Sequence, residues 1–315
     1  KVHQVHCREL IKLKIAPCQI LTMNNGNYLP IIESQDTITK TKINQILTEY
    51  AGVIFIYSTD KYKLINEQEE LLRYNLRYIH NGDPANKCAL ILENIAIHLN
   101  YAYQDPFNYN YSFLYQNIET FIPFLINNTN VHKNIYQLFL KQKHHFTIAQ
   151  PIISSLFLSG ILKQAEIISE KEIINLFITS LFKDIGISLV PKEIYEKENL
   201  DEKEVETFAR HPQSSVDILK LKIPLEPNYF TIIKNHHLYS SLNNNQNIQL
   251  NDELIAGVET ILVIITDIIA AMISERPYRA PSTIFKSLEL IKELFSDQYP
   301  QEFRLLVLYF KQFFS

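Results

Sequence analysis

Tryptophan is absent from the 315 residues, glycine occurs only 6 times, methionine twice and cysteine three times. The cysteines, Cys7, Cys18 and Cys88, show no CxxC spacing, which argues against a disulfide framework and suits a reducing, cytoplasmic compartment. A strong charge of either sign is also lacking. Thirty Lys and Arg stand against 34 Asp and Glu, a formal net charge of -4, which removes the electrostatic case for nucleic acid or acidic lipid as a general partner. No internal repeat at solenoid periods occurs, and no heptad run is long enough for a coiled coil. Lys1 to Leu10 lacks an apolar core followed by small residues, so it does not read as a signal peptide, and the missing initiator Met reads as trimming. Scarce Gly and Trp beside abundant Asn and Ile fit an AT-rich genome, so runs such as Asn243-Asn244-Asn245 carry no functional reading.

What is present is ordinary globular composition, 46% hydrophobic and 20% charged, at a length that favours two domains or one domain with a sizeable extension. One stretch, Leu254 to Ile273, has about the length of a membrane span. It contains Glu259 and Asp267. A carboxylate near the middle of a lone spanning helix costs roughly 2.5–3.5 kcal/mol, so the stretch reads as a buried core helix without direct membrane insertion. Asp267 then needs a cationic or metal partner.

An apolar segment around Ile11 to Leu21, a turn at Asn24-Asn25-Gly26 and Tyr28 to Ile32 read as strand, hairpin turn and strand. Thr39 to Tyr50 carries Ile43, Ile46 and Leu47 at helical spacing, and Val53 to Tyr57 is an apolar β-rich run. The result is a small ββαβ module over residues 1–80, completed by a helix over Asn66 to Ile79 and ended by the break Asn81-Gly82-Asp83-Pro84. Ala85 to His98, Ser112 to Ile126 and Asn134 to Gln142 predict a helical linker over 81–140. Residues 141–315 predict a helical domain, so the fold class is α+β and mainly α.

Six candidate metal ligands fall in the helical part: His144, Asp184, His211, His236, His237 and Asp267. Asp184 sits in the apolar stretch Leu181 to Ile187, where an unpaired carboxylate is costly to bury. Asn199 or Asp201 can cap the helix that leads to Arg210-His211-Pro212. The pair His236-His237 closes an Ile-rich helix, and Asp267 lies inside the apolar run Ile261 to Ile269. Imidazoles with carboxylates are the ligand set of a hydrolytic zinc, iron or manganese site.

In order and local sequence these residues resemble the HD-GYP family, a branch of the HD superfamily whose active members hydrolyse cyclic di-GMP at a two- or three-metal centre. The pieces that carry the resemblance are His144 opening a helix, Lys183-Asp184-Ile185-Gly186 where the family has His-Asp-Ile-Gly, Pro191 with Lys197 and Leu200, Arg210-His211-Pro212, His236-His237, Asp267, and Ser274 to Arg279. The resemblance implies a first metal held by positions 144, 183, 184 and 267, and a second held by Asp184, His211, His236 and His237. It also implies phosphate contacts from Arg276 and Arg279.

The departures fall at the chemistry. Lys183 replaces the namesake histidine, and a protonated ammonium cannot coordinate a metal. It can instead sit between Asp184 and Asp267 as a fixed positive charge. Ile187 replaces the lysine after the glycine, Leu238 replaces the acidic residue after the histidine pair, and Leu238 to Leu242 carries no Gly-Tyr-Pro. The resemblance with these losses implies no catalytic residue and, for a cofactor, none or one Fe, Mn or Zn ion at the second position. The expected role is a pseudoenzyme with protein partners in a multi-subunit bacterial complex, such as a secretion-system coupling complex, peripheral to its membrane. The alternatives are a cyclic di-GMP receptor without hydrolysis and a residual metal-dependent phosphohydrolase.

Overall fold

The computed structural model describes residues 1–165, 168–237 and 257–315. Two compact units emerge, Lys1–Tyr78 and Ile79–Ser315.

The first unit contains β1 (Val2–His6), β2 (Ile20–Asn24), β3 (Asn27–Ile32), α1 (Lys40–Tyr50), β4 (Val53–Tyr57) and α2 (Lys61–Arg77). Its sheet is antiparallel throughout, in the order β1-β4-β2-β3. Asn25 and Gly26 both have positive φ, 50° and 79°, the geometry of a two-residue hairpin turn that matches the twist of its strands. Thr39 caps α1 by accepting a hydrogen bond from the Lys42 amide. Ile43 and Ile46 then face Ile54 and Ile56 within one apolar cluster. The structure differs from the expected ββαβ plan in two ways. The first hairpin strand is confined to Ile20–Asn24, and residues before it form turns. A fourth strand, β1, pairs with β4, Val2 opposite Tyr57 and His6 opposite Val53. Only Val5 of β1 is fully buried, so alternation in the sequence had little to reveal there.

The second unit is helical: α3 (Pro84–Gln104), α4 (Tyr111–Ile126), α5 (His132–Leu140), α6 (Phe146–Gln164), α7 (Glu170–Phe182), α8 (Lys192–Tyr195), α9 (Glu202–Ala209), α10 (His211–Leu219), α11 (Pro227–Asn235), α12 (Val258–Ile273), α13 (Ile284–Phe295) and α14 (Pro300–Phe314). Of the two caps expected before Arg210-His211-Pro212, Asp201 is the one used, and the break at Asn81 to Pro84 also supplies a cap. Asp83 caps α3 with Pro84 in its first turn, and Asp201 forms a reciprocal capping box with Glu204 at α9. The helices expected as a linker, α3 to α5, belong to the same compact unit, with α3 and α4 packed on α6 and α7.

α6 is apolar on every side and lies at the centre, against α7, α12, α14 and α3. Among the described helices it is the one long and apolar enough to cross a membrane, yet its apolar window is 83% buried inside the protein. α12 is the core helix expected from Leu254 to Ile273, although residues 254–256 lie outside the described part.

Candidate metal centre

The site is built where α6, α7, α10, α11 and α12 converge. α7 ends at Phe182, Lys183 is its C-cap, and Asp184 leads into a tight turn over Ile185–Leu189. That turn lies directly on the start of α10, and Gly186 permits the approach: a Cβ there would meet the His211 carbonyl oxygen at 2.1 Å. The Gly186 amide donates to Ser215 Oγ at 2.8 Å, and Ser215 Oγ donates to the His211 carbonyl at 2.9 Å. Tyr103 of α3 donates its hydroxyl to the Asp184 carbonyl at 3.0 Å. His211 opens α10, His236 is the C-cap of α11 with His237 after it, and Asp267 comes from the middle of α12.

Lys183 has no solvent exposure. Its Nζ pairs with Asp184 Oδ2 and lies 2.7 Å from Asp267 Oδ1. Burial alone would pull its pKa down, but the two carboxylates outweigh that and hold the ammonium above its ordinary value. Asp184 is the counterpart. Burial pushes its pKa up, while Lys183, His211 and His236 hold it well below the usual carboxylate range. An isolated buried ammonium would cost several kcal/mol, so this arrangement persists only because both carboxylates share it. The ion pair anticipated from the sequence is therefore present, and it is three-membered.

The remaining oxygen of Asp184 faces imidazoles. His236 Nε2 is 3.0 Å and His211 Nε2 3.3 Å from Asp184 Oδ1, and His237 Nε2 is 3.1 Å from His211 Nε2. His211 Nδ1 donates to the Phe208 carbonyl at 2.7 Å and His236 Nδ1 to the Ile233 carbonyl at 2.6 Å. A carbonyl only accepts, so the hydrogen of each neutral ring resides on Nδ1 and its Nε2 carries a bare lone pair. Two lone pairs then confront a carboxylate oxygen. Such a contact is favourable only with a cation or a proton between the partners. Burial lowers the pKa of His211 even beside Asp184, which works against a proton there, and burial together with His236 and His211 lowers that of His237 well below its ordinary value.

One donor atom from each of Asp184, His211, His236 and His237 lies within 4.8 Å of the others. Metal–nitrogen bonds of about 2.1 Å place donors about 3–4 Å apart. The carbonyl bonds at Nδ1 are the supporting contacts that orient metal-binding histidines elsewhere. The residues present fit one divalent cation.

His144 does not join them. Its Nε2 lies 2.9 Å from Gln142 Oε1 and its ring stacks on Phe139, and α6 begins only at Phe146, with His145 as N-cap. Gln150, which sequence reasoning missed, reaches the centre instead: its Nε2 donates to Asp267 Oδ1 at 2.8 Å, and its Oε1 accepts from Arg276. The available signal was an amide in the first turns of a largely apolar helix. Tyr103 gave no signal at all. Arg276 also lies 4.0 Å over the Phe146 ring, and burial lowers its pKa. Arg279 donates to the Ala271 carbonyl at 2.7 Å. Both arginines, with Asp184, Asp267 and His237, line a cavity of about 480 Å³. The segment expected to carry the Gly-Tyr-Pro substitution, Leu238 to Leu242, lies outside the described residues.

No family model matches the chain, and no curated protein matches it. Among solved structures it is similar to Bd1817, an HDG"Y"P protein from Bdellovibrio bacteriovorus, at a TM-score of 0.67 and 10% identity, over 99% of this chain and 100% of the other. The likeness shows that the chain has the fold of an HD-GYP protein along nearly its whole length.

Proposed function

We propose that the protein is a noncatalytic HD-GYP-fold subunit that serves as an interaction scaffold in a larger bacterial complex. The observation that carries this reading is the Lys183 ammonium, fully buried and paired to both Asp184 and Asp267. Two-metal hydrolysis clamps the attacking and the leaving oxygen between two cations. An ammonium with both neighbouring carboxylates engaged replaces part of the charge of one divalent cation but offers no coordination position for water or phosphate. When bound, a metal at the remaining four donors would supply Lewis acidity at a single point. Exposed apolar side chains on α13 and α14, among them Phe285, Leu294, Val307, Leu308 and Phe314, suit an interaction role.

The test has two arms. Cyclic di-GMP incubated with the protein and Mn²⁺, Fe²⁺ or Zn²⁺ is expected to stay intact; turnover that disappears in Asp184→Ala would overturn the noncatalytic reading. Affinity purification from the native organism is expected to recover a fixed set of partner proteins, and recovery of the chain alone would overturn the scaffold.

A second reading, a nucleotide receptor without hydrolysis, draws on the cavity that Arg276 and Arg279 share with Asp184 and His237, because a guanidinium fork suits phosphate. Arg276 is already engaged by Gln150 and Phe146, which weighs against it. Calorimetry with cyclic di-GMP near millimolar concentration decides, absence of heat removing the receptor. A residual one-metal phosphohydrolase would require Fe, Mn or Zn in protein purified without chelator.

A further inference from the structure

Charge along the hydrogen-bonded chain beside the four-donor site is balanced before any metal arrives. Asp184 and Asp267 supply two negative charges, and Lys183 and Arg276 two positive ones, joined through Gln150 into one hydrogen-bonded chain from the buried ammonium to the cavity wall. The three histidines add none while neutral. Asp184 Oδ2 and Asp267 Oδ1 are both spent on Lys183, so of the two Asp184 oxygens Oδ1 is the one left to meet a cation among the histidines. A divalent ion at Asp184, His211, His236 and His237 therefore leaves an uncompensated double positive charge at donors that are themselves mostly buried. Without Lys183 the same chain of side chains would carry a net charge of -1 and offset half of that charge.

The compensation has a route in. The cavity of about 480 Å³ reaches Asp184 and His237 and is walled by Arg276 and Arg279. Four protein donors leave coordination positions open on the cavity side for an ion that takes five or six ligands. An oxyanion there would meet the metal and the guanidinium groups together.

We infer that Lys183 makes metal occupancy conditional: a divalent cation and a phosphate-type oxyanion enter this site as a linked pair, each raising the affinity of the other. Binding linkage is reciprocal, so one factor describes both directions. The inference goes beyond the noncatalytic reading, since it concerns occupancy and not turnover.

The experiment titrates the full chain with Mn²⁺, reading bound metal from loss of the free-ion paramagnetic resonance signal. The titration is made in chloride buffer and repeated at equal ionic strength with inorganic phosphate and with dimethyl phosphate, an inert diester. We expect at least tenfold tighter Mn²⁺ binding with inorganic phosphate, and phosphate binding tightened by the same factor when Mn²⁺ is present. Enhancement by the diester as well would assign a phosphodiester-bearing ligand, and enhancement by the inorganic ion alone would assign free phosphate. Lys183→Met is expected to bind Mn²⁺ in chloride alone, with most of the phosphate effect gone. Equal Mn²⁺ affinity in chloride and in both phosphates would overturn the inference, as would an undiminished phosphate effect in Lys183→Met. The titrations of the unaltered protein decide the linkage even where the variant fails to fold. Loss of linkage without hydrolysis leaves the noncatalytic reading intact, whereas cyclic di-GMP turnover by the Mn²⁺-loaded protein defeats that reading whatever the linkage shows.

Discussion

Two buried side chains carry separate consequences. Lys183 holds two carboxylates that are themselves buried. Lys183→Met in metal-free buffer is expected to cost about 3–5 kcal/mol, the usual penalty for removing one partner of a buried ion pair, measured by urea denaturation. Lys183→His should instead raise the metal content of the purified protein, and an unchanged content would mean that the first position has closed. His132 lies outside the site: its Nδ1 is 3.1 Å from the Tyr309 hydroxyl and its Nε2 3.1 Å from the Leu125 carbonyl. Burial lowers its pKa from 6.5 to about 4. The folded state thus prefers the neutral ring, and the unfolded state takes up the proton first as pH falls. Its contribution is complete above pH 6.5 and is lost progressively down to pH 4, by about 3 kcal/mol at 1.36 kcal/mol per unit. His211 and His237 act in the same direction, so the check is the difference between the unaltered protein and His132→Gln in denaturation at pH 7.5 and pH 4.5. Legibility also divides by residue. Asp184 and Asp267 were readable because a carboxylate in an apolar run must have a partner. His144 was misplaced because sequence order gives no direction to a ring in the turn before a helix.

At the scale of elements, helix crossings depend on two missing side chains. A Cβ on Gly160 of α6 would lie 2.2 Å from the Tyr309 ring of α14, and Tyr309 is the partner of His132. Gly160→Ala is expected to displace α14 and destabilise by about 1–3 kcal/mol as overpacking does, with faster amide exchange concentrated in α14 and α5. Gly186→Ala strikes backbone rather than a ring, at 2.1 Å from the His211 carbonyl. It should therefore shift α10 and abolish metal binding even where the protein stays folded; normal metal uptake would refute the close packing described here. Helix starts were well marked in the sequence because caps are local chemistry: Asp83, Ser169 and Asp201 each accept from amides of their own first turn. β1 was invisible for the opposite reason. Its identity comes from pairing with β4, some fifty residues away, and its own pattern buries one valine.

For the whole molecule, the change from strands to helices near residue 80 is legible in the sequence, but not that α3 to α5 join the central helices, since helical periodicity does not say what a face packs against. Two compact units predict two separable transitions in calorimetry of the full chain. Chelator in phosphate-free buffer is expected to move the transition of the helical unit by no more than about 2 °C, less than roughly 1 kcal/mol at that size; a larger drop would show that the fold leans on a metal. The ion triad at Lys183 bears on supply as well as chemistry. A chain that carries its own counter-ion for the carboxylates at its centre can complete its core on the ribosome's schedule, without waiting for delivery of iron or manganese. Its abundance should then be the same in metal-starved and metal-replete cells.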